Sequence, residues 1–388
     1  MSLKKRNFEL LVDIEDYFGL EAKDGSFVFR NDFVFPEVRE GQLIAQTINE
    51  VPKQKTDKEI IAGKNVRLES HNDIYSYFAE KDGVVQLIEN ELSINKFFVF
   101  DDGFDPSFEK TEYFGNVFVK GDVQSGSVLN VHGNITVTGS VLDDSKLIAD
   151  GFINVGKGIN GGKTNIISQK TVKAQFVDGA TINAGKNIVL GNYSSHAFLN
   201  SMGKIVVKKG SGLLEGYIFG GNSVSFKGIE AFVAGNVTAS KTKLQAGINW
   251  AAVQKFDEIK DSIAQCNKLM TIILARINSA AEEQPNILDK TSPANLLISK
   301  EIENQIAQLG EATAKYKLLL KKRAPLKAEA ECINRTATID IKEIAFPDVT
   351  ICIGSKELKL QEATPPACFK LINDQITIDL ENTINVTN

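Results

Sequence analysis

The sequence predicts a mainly β protein built on a single-stranded parallel β-helix, with a helical coiled-coil hairpin inserted near its C-terminal end. Three observations support this fold class. Glycines recur every 18 residues, β-branched residues alternate between those glycines, and a heptad pattern replaces the alternation after residue 249. The chain has 388 residues, of which 43% are hydrophobic, so it is long enough for two or three domains.

A short signature of glycine, then Asn or Asp, then an aliphatic residue marks the repeat, as at Gly115, Gly121 and Gly133. Two series of glycines keep a spacing of 18 residues: Gly115, Gly133 and Gly151, then Gly185, Gly203 and Gly221. Short strands separated by turns at one fixed period are typical of a solenoid. A β-sandwich also shows alternation, but it has no reason to keep one glycine phase. We therefore predict coils of about 18 residues with three short faces.

The aliphatic residues between the glycines predict the core of the β-helix. Val117 and Val119 alternate, as do Ile135 and Val137, which is the period of a strand with one buried face. The same pattern assigns Val128 and Val131 to a strand. Residues that face inward in successive coils stack on one another, and this column is predicted to contain Val117, Ile135, Ile153 and Ile188.

A series of phrases, in order along the chain, resembles the flagellar assembly protein A family of bacteria. The phrases occupy residues 38–45, 60–68, 77–87, 115–141, 153–190 and 212–231, so the resemblance covers most of residues 37–248. It implies that the β-helix is right-handed and that the protein has a role in flagellar assembly or placement. The stretch Gln169-Lys170-Thr171 stands where the family usually carries glycine, which predicts a distorted turn.

Four segments are predicted: an N-terminal α+β domain (1–100), the β-helix (101–249), the helical hairpin (250–333) and C-terminal strands that return to the β-helix (334–388). Within the first, residues 8–20 fit either a helix or a strand followed by a helix. Residues 25–35 alternate like a β-hairpin with its turn near Asn31 and Asp32. The acidic stretch Asp101–Glu112 is predicted to be a loop, since it contains Pro106 and aspartates beside a glycine. Its Asp spacing does not match a calcium-binding EF-hand.

The hairpin is predicted from two sets of apolar residues at helical spacing. The first helix places Phe256, Ile263, Met270 and Ile277 at one seam position, and Ile259, Cys266, Ile273 and Ala280 at the other. After two prolines in 282–293, the second helix continues the seam with Ile302, Ile306, Leu309, Thr313, Tyr316 and Leu320. Such a pair is typical of an antiparallel coiled coil. Strands at Val349–Ile353 are expected to join the last coils and cover a sheet edge.

The sequence contains no motif of a known catalytic, cofactor-binding or metal-binding site, so no such residues are predicted. Asp143 and Asp144 could supply a carboxylate pair, but a solvated turn explains them better. The glycine-rich stretch 156–162, flanked by Lys157 and Lys163, lies between strands, where a turn is a better interpretation than a phosphate cradle. The four cysteines and three histidines lack the spacing of a zinc site.

Charge and patterning limit the function further. A net charge of −5 argues against nucleic acid as a partner, and the absence of a leader-like or membrane-spanning stretch predicts a cytoplasmic protein. The basic run 315–327 predicts a solvated surface, or contact with an acidic partner or a membrane surface. The leading hypothesis is a non-enzymatic scaffold that binds an unidentified protein partner and that can dimerise through the hairpin. Two alternatives stay open: a β-helix enzyme acting on carbohydrate, and a polymer-forming cytoskeletal protein.

Overall fold

A computed structural model describes residues 8–11, 20–21, 27–28, 37–48, 60–71, 74–88, 91–108, 111–210, 214–283 and 293–380. The chain is mainly β, with two long helices. It divides into two compact units, one formed by residues 1–247 with 335–388 and the other by residues 248–334. We call the second one the helical unit.

The N-terminal region contains ten short strands. They are β1 (Phe8–Leu10), β2 (Leu20–Glu21), β3 (Phe27–Val28), β4 (Glu37–Val38), β5 (Leu43–Ile48), β6 (Ile61–Ala62), β7 (Val66–His71), β8 (Ile74–Ala79), β9 (Gly83–Ile88) and β10 (Glu91–Asn95). Two four-stranded sheets have the orders β1-β5-β8-β7 and β4-β9-β10-β6, and β2 pairs with β3. Only strands occur in the described part of residues 1–100. Residues 8–10 form β1, so a helix that begins at Phe8 is wrong, and the alternative of a strand followed by a helix agrees with the described residues at its first element. Residues 12–19 and the turn at Asn31 and Asp32 lie outside the described part.

Beyond residue 96 the strands form a β solenoid. Its strands before the helical unit are β11 (Phe97–Phe100), β12 (Glu112–Tyr113), β13 (Asn116–Val119), β14 (Val128–Val131), β15 (Ile135–Val137), β16 (Lys146–Ala149), β17 (Ile153–Val155), β18 (Gly158–Asn160), β19 (Asn165–Ser168), β20 (Val172–Asp178), β21 (Thr181–Ala184), β22 (Ile188–Ser195), β23 (Phe198–Ser201), β24 (Lys204–Val207), β25 (Tyr217–Phe219), β26 (Gly221–Ser225), β27 (Gly228–Ala234) and β28 (Thr242–Ala246). After the helical unit come β29 (Thr338–Ala345), β30 (Thr350–Ile353), β31 (Lys356–Lys359), β32 (Ala367–Ile372) and β33 (Gln375–Leu380).

The solenoid strands form a thirteen-stranded and a ten-stranded sheet, both largely parallel. One inward column of the thirteen-stranded sheet runs through Val117, Ile135, Ile153, Val172, Ile188, Ile205 and Ile229. Successive residues in this column are 18, 18, 19, 16, 17 and 24 positions apart. The coils therefore keep a constant length only at the start of the solenoid. The step from Ile153 to Val172, one residue longer than the two before it, spans the stretch Gln169-Lys170-Thr171.

The predicted core column is confirmed. Val117, Ile135, Ile153 and Ile188 are at most 1% exposed, and each is covered by the coils above and below. The strand assigned to Val128 and Val131 is present as β14, but Val128 does not face the core: it is 43% exposed, while Leu129 and Val131 are fully buried. Val128 and Val131 are three positions apart, so in an extended strand their side chains point to opposite faces.

The repeated glycine signature has a direct physical cause. The Asn116 side-chain oxygen accepts the backbone N–H of Asn134 in the next coil at 2.7 Å, and Asn134 does the same for Phe152 at 3.0 Å. A Cβ at Gly133 would overlap the Gly115 carbonyl oxygen of the preceding coil and lie 2.7 Å from the Asn116 oxygen, and a Cβ at Gly151 would overlap the Asn134 oxygen. Each amide thus occupies the space that the glycine of the next coil leaves free.

The same device recurs at a second corner and in a later coil. Asp122 accepts the backbone N–H of Ser140 at 2.7 Å, and Asn187 accepts that of Lys204 at 2.8 Å. The continuation of the glycine series to Gly221 is wrong. Lys204 pairs with Gly228, which puts Gly221 at another corner, against the backbone of Ala197.

Two helices form the helical unit: α1 (Trp250–Glu283) and α2 (Pro293–Glu331). Ile248 and Ile333 form an antiparallel bridge, and Thr313 lies 3.6 Å from the Met270 sulfur, so the two helices run side by side in opposite directions. The connection between them, residues 284–292, lies outside the described part, and the closed hairpin stays a prediction.

The predicted seam of α1 coincides with its least exposed residues. Ile263, Cys266 and Ile273 are buried, and the other five predicted positions are intermediate in exposure. In α2 the prediction is wrong at two positions. Ile306 is 54% exposed and Leu320 is 37% exposed. Gln305, Ala312 and Leu319 are less exposed and occupy the face toward α1 instead. Hydrophobicity alone did not distinguish this face, because α2 also carries apolar residues on its outer side.

The last strands return to the solenoid, as predicted. β29 pairs in parallel with β27, and β30 pairs in parallel with β28. The sheets then end in antiparallel strands: β32 and β33 in one sheet and β31 in the other. At the other end, the described part of the predicted acidic loop includes two paired residues: Phe104 is buried and bridges Val123, and Glu112 begins β12 and pairs with Asn130. The first coil therefore starts at β11.

Candidate interaction surfaces

The strongest charge cluster of the chain lies on α2, in the segment Lys315–Lys327, which we call the basic segment. It carries six basic side chains and no acidic one: Lys315, Lys317, Lys321, Lys322, Arg323 and Lys327. All six residues are exposed. Lys327 lies 3.6 Å from Glu331 one turn later. Within the described part of the chain, the other five have no carboxylate within ion-pair distance.

Exposed leucines accompany these charges. Leu318 is 53% exposed, and residues three and four positions away, Lys315, Lys321 and Lys322, share its face of the helix. Leu320 is 37% exposed and lies between Lys317 and Arg323 in the same way. The combination of apolar and cationic side chains suits a partner that is both acidic and partly apolar.

A second cluster lies on one corner of the solenoid. His132 contacts Asp150 through Nδ1 and Glu112 through Nε2, each at 2.9 Å, and its ring stacks on Phe114 with 4.5 Å between ring centroids. Hydrogen bonds to Glu112 and Asp150 raise the pKa of His132 above its ordinary value. The cluster connects three successive coils. It is exposed, with Phe114 at 66%.

The carboxylate pair considered in the sequence braces a turn. One Asp143 oxygen accepts the backbone N–H of Asp144 at 2.8 Å and that of Lys163 at 3.3 Å. Asp144 itself has φ 58°, as expected for a turn residue. A Cβ at Gly161 would overlap the Asp143 side chain, so this corner is packed. The glycine-rich stretch contains β18 and the following turn, in agreement with the predicted turn.

The remaining candidates for chemistry are dispersed. All four cysteines are free, and the described residues hold no group of His, Cys, Asp and Glu that could bind a metal ion. Burial raises the pKa of Cys352 to about 11, so its thiolate is disfavoured. His196 lies beside Ser195 and packs its ring edge against Phe219, far in sequence from the other histidines.

The comparison with known families decides the relationship of this chain. Residues 112–376 match the family model described as Flagellar Assembly Protein A beta solenoid domain, which is more than half of the chain. The chain belongs to the flagellar assembly protein A family. No curated protein and no solved structure gives a significant match.

The family match confirms the resemblance noted in the sequence and changes its extent. The matched range begins at Glu112, so the phrases within residues 38–87 lie upstream of it. It continues to Ile376, beyond the stretch quoted for the resemblance, and therefore spans the helical unit and the returning strands. The family description names a solenoid and an assembly role and names no reaction. Neither described helix has a segment long and apolar enough to cross a membrane.

Sequence reasoning missed the His132 cluster, although a signal was present. Phe114, His132 and Asp150 are each 18 residues apart, the same period as the glycines. Residues one period apart lie above one another in a solenoid. The three histidines had been compared only with zinc-site spacing, in which these neighbours play no part. The exposed leucines of α2 were missed for another reason. Leu320 had been assigned to the seam, and Leu318 had not been considered.

Proposed function

We propose that this protein is a non-enzymatic scaffold of flagellar assembly or placement, whose β solenoid holds the helical unit for binding to a protein partner. The observation that carries the proposal is the basic segment. It consists of exposed and mostly unpaired charges on a helix that belongs to a separate compact unit. The flagellar role rests on family membership.

The enzyme alternative has little support from the solenoid surface. A glycosidase needs two carboxylates held about 5–10 Å apart on either side of a bound sugar. The best pair in the sequence, Asp143 and Asp144, are adjacent residues, and Asp143 is bonded to backbone N–H groups of its own corner. Against the polymer alternative stands the edge strand β31 of the ten-stranded sheet, although the edge strand β33 of the other sheet exposes Ile378 and Leu380. In β31, Lys356 and Lys359 pair with Asp374 and Asp348, and charged edges oppose the stacking of further strands.

The proposal is tested in a flagellated bacterium that encodes this chain. The native gene is replaced by a version lacking residues 251–332, joined by a short Gly/Ser linker, and by an intact tagged version. We expect the shortened protein to accumulate normally while flagella are absent or misplaced, as counted by electron microscopy. Affinity capture with the two versions should recover a partner only with the intact chain. Normal flagella with the shortened protein would overturn the proposal.

A further inference from the structure

The basic segment indicates the chemistry of the partner more closely, and this inference rests on the proposed function. The six cations of this segment stand in a chain of net charge −5, so the rest of the protein carries a net charge of −11. This separation gives α2 a local positive potential that the whole molecule does not have. Complementary potential guides association and discriminates against wrongly charged partners.

The surface of the basic segment presents exposed leucines as well as charges. Leu318 has lysines at three and four positions on the same face, and Leu320 has basic residues three positions away on both sides. With about 100° between consecutive residues of a helix, these two leucines lie about 200° apart around the axis. The helix thus presents two flanks, each with one leucine set among cations.

These two flanks suit the helix of a partner protein better than the flat anionic surface of a membrane. A bilayer touches one side of a helix, and peripheral membrane helices collect their large apolar residues on that side. Here each flank holds a single exposed leucine, so a bilayer would reach only one of them at a time. A partner helix can follow one flank, with its own apolar residue against the leucine and carboxylates one turn to either side.

We propose that the flank formed by Lys315, Leu318, Lys321 and Lys322 is a binding site for an acidic amphipathic helix of a partner protein. The apolar residue of that helix packs on Leu318, and its carboxylates pair with the three lysines. Lys315 lies one turn before the leucine, and Lys321 and Lys322 lie one turn after it. The occupant is therefore recognised by a pattern of acid, apolar residue and acid, with these groups three to four residues apart.

The test uses the full-length chain and two synthetic helical peptides. The first carries Glu at three- and four-residue spacing around leucines, and in the second every Glu is replaced by Gln. We expect the acidic peptide to bind with an affinity that falls as salt rises, because the contacts are exposed and screened. The Gln peptide should bind at least about tenfold more weakly.

Three variants locate the site. Lys321→Glu with Lys322→Glu should weaken binding of the acidic peptide at least about tenfold, since two attractions become repulsions. Leu318→Ser should weaken it severalfold without changing the salt dependence. Lys260→Glu with Lys268→Glu, an equal charge change at exposed positions of α1, should alter the affinity less than about twofold. Circular dichroism establishes that each variant is folded, and a variant that does not fold is replaced by its Gln counterpart.

Vesicles of phosphatidylglycerol and phosphatidylcholine in a one-to-two ratio form the membrane arm of the test. Any one of three results would overturn the proposal. The two peptides bind equally well, the α1 control loses as much affinity for the acidic peptide as Lys321→Glu with Lys322→Glu does, or the protein binds the vesicles more tightly than the acidic peptide and Leu318→Ser abolishes that binding. This inference alone would be refuted if removal of residues 251–332 abolished flagella while Lys321→Glu with Lys322→Glu left them normal. Normal flagella in both cases would refute the proposed function itself.

Discussion

The solenoid and the helical unit bury their apolar residues to very different degrees. Inward residues of the solenoid such as Ile135 and Ile153 are completely buried, because a similar residue lies above and below each of them. In the helical unit Ile273 is buried, but Leu269, Ile272 and Leu274 of the same turns are 42–49% exposed. Two helices can enclose only one seam between them. The comparison indicates that the solenoid provides stability, whereas the helical unit keeps surface available for contacts.

The largest expected effect is a cavity in the solenoid column. Ile135→Ala should lower the free energy of unfolding by about 2–5 kcal/mol, because neighbouring coils cannot collapse into the space. Ile135→Asp should cost more, since a carboxylate would be buried without a partner. Val128→Ala, at an exposed position of the preceding strand β14, should change the free energy of unfolding by less than about 0.5 kcal/mol. Chemical denaturation measures the free energy of unfolding of all three variants, and a melting temperature of Ile135→Ala within about one degree of wild type would refute the stacking.

A somewhat smaller effect is expected where the glycine signature leaves room for an amide. Gly151→Ala places a methyl group on the Asn134 oxygen and should cost up to about 3 kcal/mol, as overpacked sites do. Gly162→Ala is the matched control, because nothing lies within 4 Å of its Cβ position. Equal thermal stability of the two variants would show that the amide moves away without cost.

In the helical unit the corresponding cavity should act locally. Ile273→Ala should reduce the stability of the helices by about 1–2 kcal/mol, less than in the solenoid, because a two-helix pair can close around a void. Hydrogen exchange resolved by segment should show faster exchange in α1 and α2 and unchanged exchange in the solenoid strands. The control is Ile306→Ala, because Ile306 is an exposed residue of α2. A solenoid that also exchanges faster would mean that the two regions are not independent.

The smallest effect is expected from His132, which connects three coils at the surface. Its pKa is raised in the folded protein by Glu112 and Asp150, so protonation favours folding. This contribution is complete below the ordinary histidine pKa of about 6.5 and is lost as pH rises through the folded value. Melting temperatures from pH 5 to pH 8 should therefore fall slightly more for wild type than for His132→Gln. Identical pH profiles would contradict the assigned contacts.

Much of the solenoid could be predicted from sequence because its contacts repeat. Residues such as Ile135 and Ile153 are one coil apart, so a period along the chain translates directly into neighbours in space. The prediction failed where coil length changed, as at Gly221, since a period carries no information about an insertion of several residues. It also failed at Ile306 and Leu320. Helical spacing alone does not determine which of two apolar flanks faces the partner helix.

The candidate surface was less predictable for a related reason. The basic segment is visible as a run of charges, but its unpaired state depends on which carboxylates lie nearby in three dimensions. The exposure of Leu318 likewise depends on where the seam falls. The identity of a partner is not encoded in either feature, because a surface specifies only the complementary chemistry.

The central claim is that the helical unit is a separable insertion on a self-sufficient solenoid. It is tested most directly by excising residues 251–332, closing the gap with a short Gly/Ser linker, and recording circular dichroism during thermal unfolding. Coils contact mainly their neighbours, so the shortened protein should lose its helical signal, keep its β signal and unfold cooperatively. An insoluble product, or one without a β signal, would show that the helical unit is part of the core and would contradict the claim.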